Sequence, residues 1–162
     1  MVSAPISTSS QKSQTAHELS AANRNEHTSA GSFITLAARI FFSAIFIMSG
    51  FLHFSKEEIG YAAHAGVPMA ALLVPASGLL ALAGGLSILV GYRAKIGAWL
   101  LVFFLVPVTL TMHNFWAVKD PTMAQMQMAM FLKNMTILGG ALLISQFGAG
   151  PWSMDARRSA LR

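Results

Sequence analysis

Cysteine is absent from all 162 residues, which excludes disulfide exchange, a thiolate nucleophile and an ordinary cysteine-ligated iron-sulfur cluster. Redox work would need a cofactor from outside. Charge is also scarce, at 10% of residues, where a soluble domain carries about 25%. With 54% hydrophobic residues and a mean hydropathy of +0.57, the apolar content exceeds what one small core can bury. No apolar stretch follows Met1, so no secretory signal is expected and the first apolar segment must direct insertion itself.

The apolar residues come in four blocks, Phe33–Phe54, Met69–Gly91, Ile96–Trp116 and Met126–Phe147. A helix rises about 1.5 Å per residue and needs roughly 20 apolar residues to cross about 30 Å of hydrocarbon. A soluble bundle of four such helices would have no polar outer face to meet water. The connections are short, so neighbouring helices run antiparallel. The reading is therefore all-α, an integral membrane up-down-up-down four-helix bundle over residues 33–155. Residues 1–32 are poor in apolar residues and expected to form a disordered polar cytoplasmic tail. Residues 156–162 form a basic cytoplasmic one.

Orientation follows from the cations. Arg24, Arg39, Arg93, Lys95, Arg157, Arg158 and Arg162 share one side of the bundle, against Lys56 and Lys119 on the other, so both termini are expected in the cytoplasm. The formal charge of +5 then describes loops facing an anionic leaflet. The lipid bilayer is the expected partner and nucleic acid is not. Ser77, Ala81 and Gly85, with Gly139 and Gly140, offer small residues for close helix packing, while Pro75 and Pro107 fall within spans and can kink them.

Polar residues within the spans mark the candidate site. Arg39, Ser43, Phe46, Gly50 and His53 follow helical spacing and share one face of the first span. Thr109, His113 and Trp116 share a face near the outer end of the third. Lys133 lies about 10 Å below the start of the fourth, beside Asn134. His53, His113, Lys133 and Asn134 thus fall in the outer half, below Glu57, Glu58, Tyr61 and His64 of the first loop. No Asp or Glu occurs inside any span, and a cation at the bilayer centre costs about 2.5–3.5 kcal/mol. Lys133 must therefore pair with Glu57 or Glu58, be neutral, or meet a ligand. Asp120 before Pro121 initiates the turn or caps the fourth helix.

The segments "RIFFSAIFIMSG", "AAHAGVP", "LLALAGGLSILVGYRAKIGAWLL", "HNFWAVKDP", "FLKNMTILGGALL" and "GAGPWSMD" together resemble the DoxX family of small four-helix membrane proteins, over roughly Ala38 to Asp155. The resemblance implies a bacterial inner-membrane protein, multi-pass, associated with quinone-dependent oxidoreductase partner subunits. The matched positions are Arg39, His113, Asn114, Trp116, Asp120, Pro121, Lys133 and Asn134. Departures are Ala81 where relatives carry a Glu, His53 where they carry Lys, and Met130 where they carry His.

On this reading Lys133, Asn134, His113, His53, Asn114 and Trp116 are the ligand-binding candidates, while Arg39, Asp120, Glu57 and Glu58 are structural polar residues. A quinone would suit them, because its tail partitions into lipid and its carbonyl oxygens need N–H donors. Two metal readings compete: haem between His53 and His113, and Cu(I) on Met123, Met126 and Met130 with the same histidines. Methionine more often fills gaps, and no metal is assigned. The alternative to a redox accessory subunit is a non-enzymatic membrane scaffold or small-molecule or metal carrier.

Overall fold

The computed structural model describes residues 8–161, and among them no strand occurs. Six helices follow in order: α1 Thr8–Leu52, α2 Lys56–His64, α3 Ala70–Val90, α4 Ala94–Met112, α5 Pro121–Phe147 and α6 Met154–Ala160, with a 3-10 turn at Phe115–Ala117 before α5. Four segments are long and apolar enough to cross a membrane: Ser29–Leu52, Ala70–Val90, Ala94–Ala117 and Pro121–Phe147. Their outward residues, Phe41, Met48, Leu79, Phe103 and Leu143 among them, are exposed. A surface this apolar belongs in lipid, so the chain is a multi-pass helical membrane bundle.

The N-terminal segment differs from its expected form. Helix α1 already begins at Thr8 and runs 45 residues, so the polar stretch read as unstructured continues the membrane helix backwards. Between Ser9 and Ala30 the sequence contains neither Pro nor Gly. Propagation from an existing helix costs far less than nucleation, so nothing stops the helix there. Residues 1–7 of that tail lie outside the described residues.

Packing runs in a row, α1 on α3, α3 on α4, α4 on α5. Glycines set the close approaches because a backbone can come near only where no Cβ intervenes. A Cβ on Gly78 would stand 2.7 Å from the His53 Cβ and 2.9 Å from the Gly50 carbonyl oxygen, and one on Gly84 would stand 2.8 Å from the Gly97 carbonyl oxygen. Helix α3 therefore meets α1 through Gly78 and α4 through Gly84. Phe46, Ile88, Leu101, Phe104 and Ala141 fill the centre of the resulting core. Helices α1 and α5 sit at the ends of the row and meet where the Phe42 ring lies against Gly140.

The two ends of the bundle close differently. At the end shared by the termini, α3 stops in a Schellman turn: Gly91 takes the left-handed conformation at φ 70, with Gly91 N–H donating to Ile88 and Tyr92 N–H to Ser87. The segment after α5 folds back over this turn. Arg39 Nη1 and Nη2 donate to the carbonyls of Ala149 and Trp152 at 3.3 and 3.0 Å, and Asp155 N–H donates to Gly91 O at 2.9 Å. At the opposite, distal end, α2 covers the helix ends through Ala62, which packs with Ala70 and Val74.

Candidate functional site

A cavity of about 530 Å³ lies in the distal half of the bundle, within the roughly 300–1,000 Å³ usual for small-molecule sites. Its walls are largely apolar, with Phe46, Leu80, Phe104 and Val108 among them, and all of α1 to α5 contribute. Four of the six ligand-binding candidates line it: His53, His113, Lys133 and Asn134. Glu58 and Tyr61 join them from α2.

On α1, the periodic face read from the sequence is buried at all five positions, Arg39, Ser43, Phe46, Gly50 and His53. His53 closes that face at the cavity. Its Nδ1 lies 2.7 Å from the Ser49 carbonyl oxygen, which can only accept, so Nδ1 carries a proton, and in the singly protonated tautomer this leaves Nε2 as an acceptor. The ring packs edge-on against Phe104 at 5.5 Å.

His113 follows the last turn of α4, and its backbone N–H bonds back to Thr109. Its Nδ1 lies 2.8 Å from Gln127 Oε1, while Gln127 Nε2 donates to the Tyr61 hydroxyl at 3.4 Å. With the amide oxygen facing the imidazole, Nδ1 again carries the proton. A polar chain thus ties α4, α5 and α2 at the cavity's distal end. Gln127 had no place among the candidates, because a Gln in "MAQMQMAM" carries no partner information in sequence.

Lys133 and Asn134 diverge, as neighbours about 100° apart on a helix must. Asn134 is buried and its Nδ2 donates to the fully buried Thr109 Oγ1 at 3.1 Å, joining α5 to α4. Lys133 is exposed and its Nζ contacts Met130 Sδ at 3.4 Å. Among the described residues no carboxylate pairs with Lys133. Helix α5 begins at Pro121, before the Met126 start read from hydropathy, which sets Lys133 about 18 Å into the helix rather than about 10 Å.

Asn114 and Trp116 do not line the cavity. Helix α4 ends at Met112 and the chain turns into the 3-10 segment, so the face shared by Thr109, His113 and Trp116 in a continuous helix is broken. Asn114 accepts from Ala117 N–H through its backbone oxygen. Trp116 is 60% exposed and packs against Phe115 and Phe131. Asp120 Oδ1 accepts from Met123 N–H at 2.8 Å and caps α5. Glu57 and Glu58 lie in the first turn of α2, which Ser55 caps by accepting from Glu58 N–H at 3.1 Å. The Ser55-x-x-Glu58 spacing is the capping-box signature that would have revealed this helix. Among the described residues no three His, Asp or Glu side chains gather as a metal site.

Comparison with known proteins bears on descent. The model of the SURF4 family matches residues 5–160. Inner membrane protein YqjF of Escherichia coli (strain K12) is 32% identical over 126 residues, covering 74% of this chain and 88% of the relative. Inner membrane protein YphA of the same organism is 28% identical over 126 residues, covering 76% and 89%. The ER-derived vesicles protein ERV29 of Saccharomyces cerevisiae is 29% identical over 80 residues, 49% of this chain, and the match spans only 26% of the yeast protein. No solved structure matches. The nearly full-length family match overturns the resemblance to the DoxX family. That resemblance rested on apolar segments within the spans and on turns between them, where small residues, interfacial aromatics and a capping Asp-Pro serve any small membrane bundle. The chain belongs to the SURF4 family.

Proposed function

We propose that this protein is a non-enzymatic, small-molecule-binding membrane protein that holds an amphipathic ligand in the distal cavity. The observation that carries the reading is the composition of that cavity: apolar walls contributed by five helices, with His53, His113, Lys133 and Asn134 on its lining. Such a site suits a molecule with an apolar body and a small polar head. The quinone-linked accessory role followed from the DoxX resemblance and loses its support with it, and nothing in the comparisons points to an oxidoreductase partner.

The two Escherichia coli relatives are named as inner membrane proteins, which supports a bacterial inner-membrane location here. The clustering of Arg93, Lys95, Arg157 and Arg158 at the end of the bundle that carries the termini supports a cytoplasmic placement of both. The cavity then faces the outer half of the bilayer.

The test is native mass spectrometry of protein purified from membranes in mild detergent, followed by extraction of whatever small molecule it carries. Ser77 lines the cavity and its hydroxyl bonds only to Val74 O of its own helix, so Ser77→Phe fills the space at small structural cost. The parent is expected to retain an amphiphile that the variant loses while melting at the same temperature. Retention of nothing by the parent, or equal retention by both, overturns the reading.

A further inference from the structure

The charges around the cavity state what kind of head group it would hold. Lys133 brings an ammonium and Glu58 a carboxylate to the same lining, and the two do not pair with each other. Glu58 is part-buried and Lys133 exposed, so each keeps its charge available to a molecule that enters the cavity and carries the opposite one.

The neutral groups repeat the pattern. Lys133 spends one N–H on a weak thioether acceptor, and Asn134 spends one of its two on Thr109, so donors remain on α5. On the other walls acceptors predominate, although the Tyr61 hydroxyl, which accepts from Gln127 Nε2, keeps its own O–H to donate. The buried His53, with Nδ1 committed to Ser49 O, leaves its Nε2 lone pair unpartnered. His113, with Nδ1 committed to Gln127, leaves the same atom. Glu58 adds carboxylate oxygens. Unused donors thus lie on α5, and unused acceptors on α1, on α2 and just past the end of α4.

Resting on the ligand-binding reading above, we propose that the cavity takes a single-chain amphiphile with a zwitterionic head group. Its oxyanion sits at Lys133 and Asn134, its primary ammonium toward Glu58 and the two imidazole Nε2 atoms, and its chain among Leu80, Phe104 and Val108. An anionic head alone would leave Glu58 repelled and the imidazole acceptors unfilled. An amine alone would leave Lys133 unpaired. Ile45, Phe103 and Lys133 are exposed cavity-lining side chains at membrane depth, so the cavity communicates with lipid and such a molecule can enter sideways from the bilayer.

The experiment measures retention, by native mass spectrometry in detergent, of four probes with one common chain: a lysophosphatidylethanolamine, a lysophosphatidic acid, a monoacylglycerol and an alkylamine. Charge-assisted hydrogen bonds predict about tenfold preference for the zwitterion over each of the others. Lys133→Gln is expected to erase the advantage over the alkylamine, and Glu58→Gln the advantage over lysophosphatidic acid, each with parental melting. Retention of all four probes alike overturns the zwitterion while leaving an amphiphile site. Preference for lysophosphatidic acid that Glu58→Gln does not change overturns it in favour of a purely anionic head. Retention of none overturns both this inference and the reading beneath it.

Discussion

Asp155 caps a helix that begins far before it in the chain: its Oδ1 and Oδ2 accept from the backbone N–H groups of Arg93 and Ala94 at 2.8 and 3.0 Å. Helix α4 has no cap of its own, because Arg93 sits at its N-cap in the left-handed conformation with no side-chain hydrogen bond. The C-terminal segment supplies one, at the positive end of the helix dipole where a carboxylate is favoured.

Losing that cap should cost what caps ordinarily cost. Asp155→Ala is expected to destabilise the bundle by about 0.5–2 kcal/mol, read as a lower midpoint in denaturant titration of the detergent-solubilised protein. The same variant should release the segment after Phe147 to limited proteolysis. A parental midpoint together with a parental digestion pattern would refute the role.

Arg39 holds the same segment from the other side, so Arg39→Lys tests geometry at constant charge. The guanidinium reaches two carbonyls, Ala149 O and Trp152 O, with a planar fork that an ammonium lacks. Lysine should lose at least one of these bonds, about 1.5–3 kcal/mol for a charged donor. A midpoint equal to that of the parent would show that the fork is unimportant.

Two glycines give opposite expectations for one substitution. A Cβ on Gly84 would stand 2.6 Å from Leu101 Cδ2 and 2.8 Å from the Gly97 carbonyl oxygen, while one on Gly139 meets nothing within 4 Å. Gly84→Ala should cost about 1–3 kcal/mol through overpacking. Gly139→Ala should be neutral or gain up to about 1 kcal/mol in helix propensity. Unfolding of both variants side by side checks the sign, and equal shifts would deny the close approach of α3 and α4.

Asn134 and Thr109 should be coupled. Their hydrogen bond joins two helices away from water, yet buried side-chain bonds in membrane proteins average only about 0.6 kcal/mol, with about 1.7 the maximum. A double-mutant cycle with Asn134→Leu and Thr109→Val is expected to return a coupling in that range. Strict additivity would mean the pair contributes nothing jointly.

Gln127 sets the His113 tautomer through its amide oxygen. In Gln127→Leu the Nδ1–H form loses about 1 kcal/mol of support, roughly a fivefold change in the tautomer ratio. Imidazole nitrogen chemical shifts in selectively labelled protein report it. An unaltered ratio would show that another group orients the ring.

Much of the bundle is a local property of the chain. The four spans follow from runs of apolar residues, and the buried face of Arg39, Ser43, Phe46, Gly50 and His53 follows from helical period alone, because a helix repeats its faces whatever it packs against. Asp120 before Pro121 marks the start of α5 for the same local reason. Helix α2 was also within reach, through Ser55 and Glu58. The family was not, since apolar spans, small-residue contacts and capped turns answer to bilayer physics shared by unrelated bundles.

What tertiary structure alone decides is where helices stop and what they leave between them. The end of α4 at Met112 removes Trp116 and Asn114 from the site and brings His113 to Gln127. The fold-back after Phe147 turns Arg39 and Asp155 into fasteners for a turn distant in sequence. The cavity itself is space that five helices fail to fill. Such space depends on contacts between segments far apart in the chain. No local pattern of apolar and polar residues specifies it, and the same holds for the pairing left open to Lys133.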